Sequence, residues 1–114
     1  MKLVRIFLCL AFFCAVAGCG CDEEDPTVAL ANNGTAKADI QIKTSGGNTE
    51  NMNNIQPGTL TEKRSFAPGD IEFTISIQGV DDPIVYILDA KYCNDYEVTI
   101  SEDNSVSSSG IEVD

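Results

Sequence analysis

From Pro26 onward the apolar residues recur at every second position. Ile71, Phe73, Ile75 and Ile77 alternate with Glu72, Thr74, Ser76 and Gln78. That alternation is the signature of a strand with one face buried and the other wet. Tyr96, Val98 and Ile100 alternate with Glu97, Thr99 and Ser101 in the same way, as do Ala38, Ile40 and Ile42 with Asp39, Gln41 and Lys43. The run from Ile84 to Leu88 is apolar on both phases, which predicts a central strand covered on both faces. No segment beyond Pro26 carries a sustained stripe at 3.6 residues, so the domain is expected to be all-β.

The turns punctuate these strands. Asn32-Asn33-Gly34 lies between two short runs, and register decides how it would close a hairpin. A two-residue loop pairs Leu30 with Lys37, mixing apolar and charged side chains on one face. A three-residue loop with Gly34 left-handed pairs Leu30 with Ala36 and Val28 with Ala38, and is preferred. Ala67-Pro68-Gly69-Asp70 places proline and glycine at the centre of a type II turn. It joins a strand from Leu60 to Phe66 to the strong strand at Ile71. Glu62 and Arg64 share a face with Leu60 and Phe66, as suits a guarded edge strand. The asparagine-rich stretch from Asn48 to Gln56 is either an irregular loop or a poor edge strand around Met52 to Ile55. About six to eight short strands in about 90 residues predict a small antiparallel β-sandwich. The order of turns loosely resembles the immunoglobulin-like and transthyretin-like modules of secreted bacterial proteins, and that resemblance implies an immunoglobulin-like sandwich over residues 27–114.

The first eighteen residues are of another kind. Lys2 and Arg5 precede an unbroken apolar run from Ile6 to Ala17. The run is too short to cross a bilayer, which takes about 20 apolar residues, and has the length of a signal-peptide core. It has no polar face, and a domain this small could not cover a helix that is apolar all round. Residues 1–18 therefore read as a secretory signal helix. Val16-Ala17-Gly18-Cys19 resembles the lipobox of bacterial lipoproteins, an aliphatic residue and two small ones before a cysteine. The resemblance implies cleavage before Cys19, diacylglycerol on its thiol and an acyl chain on the new amine. With two or more chains, at about 0.8 kcal/mol per buried CH₂, such an anchor is lasting. Cys14 follows the bulky Phe12-Phe13 and Cys21 follows Cys19-Gly20, so neither fits as well.

Cleavage would change the charge and the cysteine count. The remaining chain carries 18 acidic and 5 basic residues, a net of −13. That charge disfavours nucleic acid and anionic headgroups, and favours cationic partners or simple solubility. Cys9 and Cys14 leave with the signal and Cys19 is taken by the lipid, so Cys21 and Cys93 remain in an oxidising compartment. They either form a bridge that ties the tether to the domain, or Cys93 is a small core residue and Cys21 stays free. The Cα geometry that decides lies beyond the sequence. Residues 19–26 form the lipidated cysteine and its tether, with Asp22, Glu23, Glu24 and Asp25 too mutually repulsive to pack. Four acids after the lipidated cysteine also resemble the surface-export signal of lipoproteins in some Gram-negative groups. Gly20 replaces the aspartate that signals inner-membrane retention in enteric bacteria. Together these imply an outer-membrane address and leave outward display open.

Catalytic chemistry finds little to use. The chain has no histidine, which removes the commonest general base and leaves a cysteine nucleophile without its partner. Gly46-Gly47 stands in a polar loop without the lysine of a phosphate loop. Asp81-Asp82 and Glu102-Asp103 are adjacent pairs in turn sequences, and adjacent residues do not face each other across a substrate. The expectation is a non-enzymatic envelope lipoprotein without a metal or cofactor. Its membrane contact is the lipid and its partner another envelope or surface protein. The alternative is a surface module that binds glycan or calcium. For calcium the turns offer Asp81, Asp82, Glu102, Asp103 and Asn104, in a spacing that matches no EF-hand. For glycan Tyr92 is the best exposed aromatic.

Overall fold

The computed structural model describes residues 21–113. The signal segment, the lipobox residues Val16, Ala17 and Gly18, and Cys19 lie outside the described residues. Nine strands follow in order: β1 (Thr27–Asn32), β2 (Ala38–Lys43), β3 (Thr49–Ile55), β4 (Thr59–Leu60), β5 (Arg64–Ser65), β6 (Gly69–Ile77), β7 (Ile84–Ala90), β8 (Asn94–Ile100) and β9 (Val106–Glu112). They form two sheets. One runs β9-β8-β1-β4, with β5 also pairing β1, and the other runs β3-β2-β6-β7. The domain is an all-β sandwich, as the period of two requires.

The alternating strands bury the residues their pattern assigns to the core. Ile71, Phe73 and Ile75 of β6 are completely buried, with Ile40 and Ile42 of β2 beside them. Val28, Leu30, Val98 and Ile100 come from the other sheet, and Phe66 from the loop after β5, into the same cluster. Each of these side chains contributes about 1.5–3 kcal/mol when removed from water.

Several pairings depart from the sequence reading. The Asn32-Asn33-Gly34 turn does not close a hairpin. Residues 33–37 carry the chain from β1 into the opposite sheet, where β2 pairs β3 and β6. Val28 and Leu30 instead lie opposite Tyr96 and Val98, in a parallel pairing of β1 with β8. Both arrangements turn the same residues inward, so register could not separate them. The strand buried on both faces is β1, where Val28 to Ala31 are all buried. The run at Ile84 is an edge strand, and Val85 and Ile87 stand more than half exposed on its outer face.

The segment from Leu60 to Phe66 is also not one strand. Val28 and Ala31 of β1 lie opposite Arg64 and Leu60, so the partner carries one extra residue and bulges. Leu60 is therefore turned out to 60% exposure while Phe66 stays buried. The asparagine-rich stretch forms a full edge strand, β3, whose register shifts between Ala38 and Ile40 where Asn54 is left-handed.

The registers set two poles. At the base lie the start of β1, the 44–48 and 66–68 loops, the 91–93 corner and the end of β9. At the top lie the turns 33–37, 56–58, 78–83 and 101–105. The two sheets are tied at one edge by the Arg64 guanidinium on the Glu50 carboxylate at 3.0 Å. At the other edge, Tyr86 and Ser108 share a hydroxyl hydrogen bond of 2.5 Å.

Tyr96 closes the sandwich near the base. Its hydroxyl accepts the Lys91 amide at 3.0 Å, which lays the ring across Gly110, its cross-strand partner. A Cβ at Gly110 would meet Tyr96 Cε1 at 2.8 Å. Gly110→Ala is therefore expected to cost about 1–3 kcal/mol as overpacking. Urea unfolding of Gly110→Ala beside Gly110→Ala/Tyr96→Leu checks this, because removing the ring removes the penalty.

Candidate functional site

Two surfaces carry the side chains that could act. The first is the outer face of the β9-β8-β1 sheet. Ala29 forms the floor of an open groove of about 560 Å³, walled by Leu60 to Lys63 on one side and by Asp95, Glu97, Ser109 and Ile111 on the other. The groove exists because β1 presents small Ala29 and Ala31 outward while the bulged β4–β5 segment stands beside it. Leu60 and Ile111 are its apolar rims, the latter 72% exposed.

Polar contacts span this groove. The Lys63 ammonium reaches the Asp95 carboxylate at 2.9 Å, and the Thr27 hydroxyl donates to the same carboxylate at 2.7 Å. The Thr27 hydrogen bond, then Lys63, hold the Asp95 carboxyl below the ordinary aspartate value of 3.8. An aspartate held ionised and already bonded twice is a fixed charge, not a proton carrier. Its stabilising contribution is complete above the unfolded value and is lost as pH falls through the lower folded value. Asp95→Asn is expected to cost under about 1 kcal/mol at pH 7, as exposed pairs do. Its stability should also fall less than that of the native protein as pH drops below the ordinary aspartate value of 3.8. Denaturant unfolding at several pH values reads both effects.

The second surface is the base pole. Cys21 and Cys93 are joined there by a disulfide with 5.9 Å between Cα atoms. Cys93 is left-handed; its amide donates to Glu24 O at 2.9 Å and its carbonyl accepts the Val113 amide at 2.8 Å. Pro26 is buried and its carbonyl accepts the Phe66 amide at 3.0 Å. Asp22, Glu23, Glu24 and Asp25 are exposed between these two fastenings. Tyr92 lies beside the bridge at 44% exposure.

The acidic turn pairs remain apart from both surfaces. Asp81 and Asp82 are exposed in the 78–83 turn. Asp103 accepts the Ser105 hydroxyl at 2.7 Å and its amide at 3.1 Å, so it closes its own turn. Among the described residues no three potential metal ligands come together. No local sequence pattern marks Leu60, Lys63, Asp95, Glu97 and Ile111 as groove residues. Leu60 was expected on the face of Phe66, and only the bulge turns it outward.

No protein family and no curated protein sequence matches the chain. Among solved structures, the fold is similar to the C-terminal domain of AlgF from P. aeruginosa. The TM-score is 0.50 at 11% sequence identity, over 78% of this chain and 98% of that domain. A likeness at that identity shows the fold alone.

Proposed function

We propose that this chain is a non-enzymatic, lipid-anchored envelope lipoprotein whose β-sandwich serves protein interaction or structural support. The observation that carries the reading is the spacing at the start of the domain. The lipobox cysteine, Cys19, stands two residues before a cysteine that is bridged to the sandwich. A bridge of that kind belongs to an oxidising compartment, which is where a signal peptide and lipobox would deliver the domain. The groove supports a protein partner over a glycan, because its exposed rims are the aliphatic Leu60 and Ile111 with carboxylates between them. A segment bearing aliphatic and basic residues fits that chemistry.

Cys19→Ala is expected to move the protein from the membrane fraction to the soluble fraction. The native chain, purified from bacterial envelopes, should give an intact mass that starts at Cys19 and includes diacylglycerol. A mass that includes Met1, or a Cys19 thiol without lipid, would overturn the reading.

A further inference from the structure

The Cys21–Cys93 bridge has a mechanical consequence for the anchor. Two residues of extended chain span at most about 7 Å, so Cys19 lies within that distance of Cys21. With 5.9 Å between the bridged Cα atoms, the Cα of Cys93 is held within about 13 Å of the Cα of Cys19. Were the bridge absent, the seven residues from Cys19 to Pro26 could separate anchor and domain by about 25 Å. The acidic quartet lies after the bridged cysteine, so it adds nothing to the reach of the anchor.

We infer that the base pole is a membrane-seated surface, with the Cys21–Cys93 bridge holding the domain down and Tyr92 placed in the headgroup layer of a zwitterionic lipid surface. This rests on the lipid anchor at Cys19. Headgroups occupy about 5–8 Å on each side of the hydrocarbon core, a depth comparable with the slack the bridge leaves. Tyr92 has the chemistry of that layer, an apolar ring with a polar tip, and such rings collect at membrane interfaces. It is exposed beside Cys93 and its side chain enters no hydrogen bond among those described. The quartet Asp22 to Asp25 and Glu112 share this pole with Lys91 and Lys43. The excess of carboxylates selects zwitterionic over anionic lipid, which would repel them within a Debye length. The groove then opens sideways and the top turns point away from the bilayer.

The chain contains no tryptophan, so a single one reports position. Full-length Tyr92→Trp and Thr35→Trp, each lipidated by the producing bacterium, are placed in phosphatidylcholine vesicles with and without brominated acyl chains. Thr35 lies in the top turn 33–37 and is exposed. Quenching of Tyr92→Trp should exceed that of Thr35→Trp by about twofold or more, given the depth preference of the indole. Ten Gly/Ser residues inserted after Gly20 leave the bridge intact and add about 18 Å of flexible reach. They should bring the two variants to equal quenching. Equal quenching before the insertion, in protein that floats with the vesicles and has a lipidated mass, overturns the seating while the anchor stands. Strong quenching that survives the insertion overturns the role given to the bridge. Protein that neither floats nor contains lipid refutes the anchor itself, and the seating with it.

Discussion

Opening the Cys21–Cys93 bridge is expected to lower the unfolding free energy by about 4 kcal/mol. The two cysteines are 72 positions apart, so the chain between them forms a long loop when unfolded, and closing it in advance removes much of that chain's freedom. The bridge also holds the 91–93 corner, where Cys93 takes the Glu24 carbonyl and receives the Val113 amide. Loosening the corner releases both ends of the described chain from the base. For residues 19–114, with 34 apolar residues among 96, whole stability is on the order of 5–15 kcal/mol. The loss is therefore a large share of it. Cys21→Ser/Cys93→Ser should show the drop in urea unfolding, and a thiol reductant should reproduce it in the native protein alone. An unchanged midpoint in the double variant would mean that hydrogen bonds at the base suffice.

Asn32→Leu is expected to cost about 3 kcal/mol, although leucine is apolar and of similar size. Asn32 is 1% exposed, and no other polar or charged residue is counted in the described core. Its amide nitrogen donates to Ile55 O at 2.8 Å and Ala36 O at 3.0 Å, while its carbonyl oxygen accepts the Gly34 amide at 3.0 Å. Its backbone carbonyl meanwhile takes the Gly58 amide at 2.6 Å. One side chain thus holds the crossover from β1 to β2 and the end of β3. Leucine would leave two carbonyls and an amide unpaired, and an unpaired buried group costs more than the bond it once made. Measured by urea unfolding, Asn32→Leu should fall well below Asn33→Leu, whose side chain is exposed in the same turn. Equal midpoints would show that water replaces the lost partners.

Asn32 also shows why a turn sequence of this kind does not close a hairpin here. Asn-Asn-Gly between short runs is a sound hairpin signal, and the three-residue register did place apolar residues together. In the structure those residues do meet, but across the core rather than side by side. Leu30 joins the same core cluster as Ala38, Ile40 and Ile42 of β2, and its strand partner is Val98 and not Ala36. The side chain of Asn32 makes the crossover possible by supplying the hydrogen bonds that a hairpin would have supplied. The same limit explains β7. Ile84 to Leu88 is apolar on both phases, yet nothing in its composition says whether a further strand will lie beyond it.

The groove was hidden for a related reason. Lys63 and Asp95 are 32 positions apart, and Leu60 is turned outward by a bulge that exists only relative to β1. No local pattern encodes either fact. The cysteines were partly legible. Two would remain after lipidation, and chain order alone left open whether they met.

Periodicity along the chain was enough to settle the β class and the inward residues of β2, β6 and β8. These follow from local geometry, because alternate side chains of an extended backbone leave on opposite faces whatever their neighbours are. Folding in three dimensions alone settled which strand lies beside which, that β1 runs parallel to β8, and that Cys21 reaches Cys93. Every strand offers the same backbone donors and acceptors to a neighbour. The choice among neighbours therefore rests on the packing of the whole core and on single side chains such as Asn32 that fix the crossings.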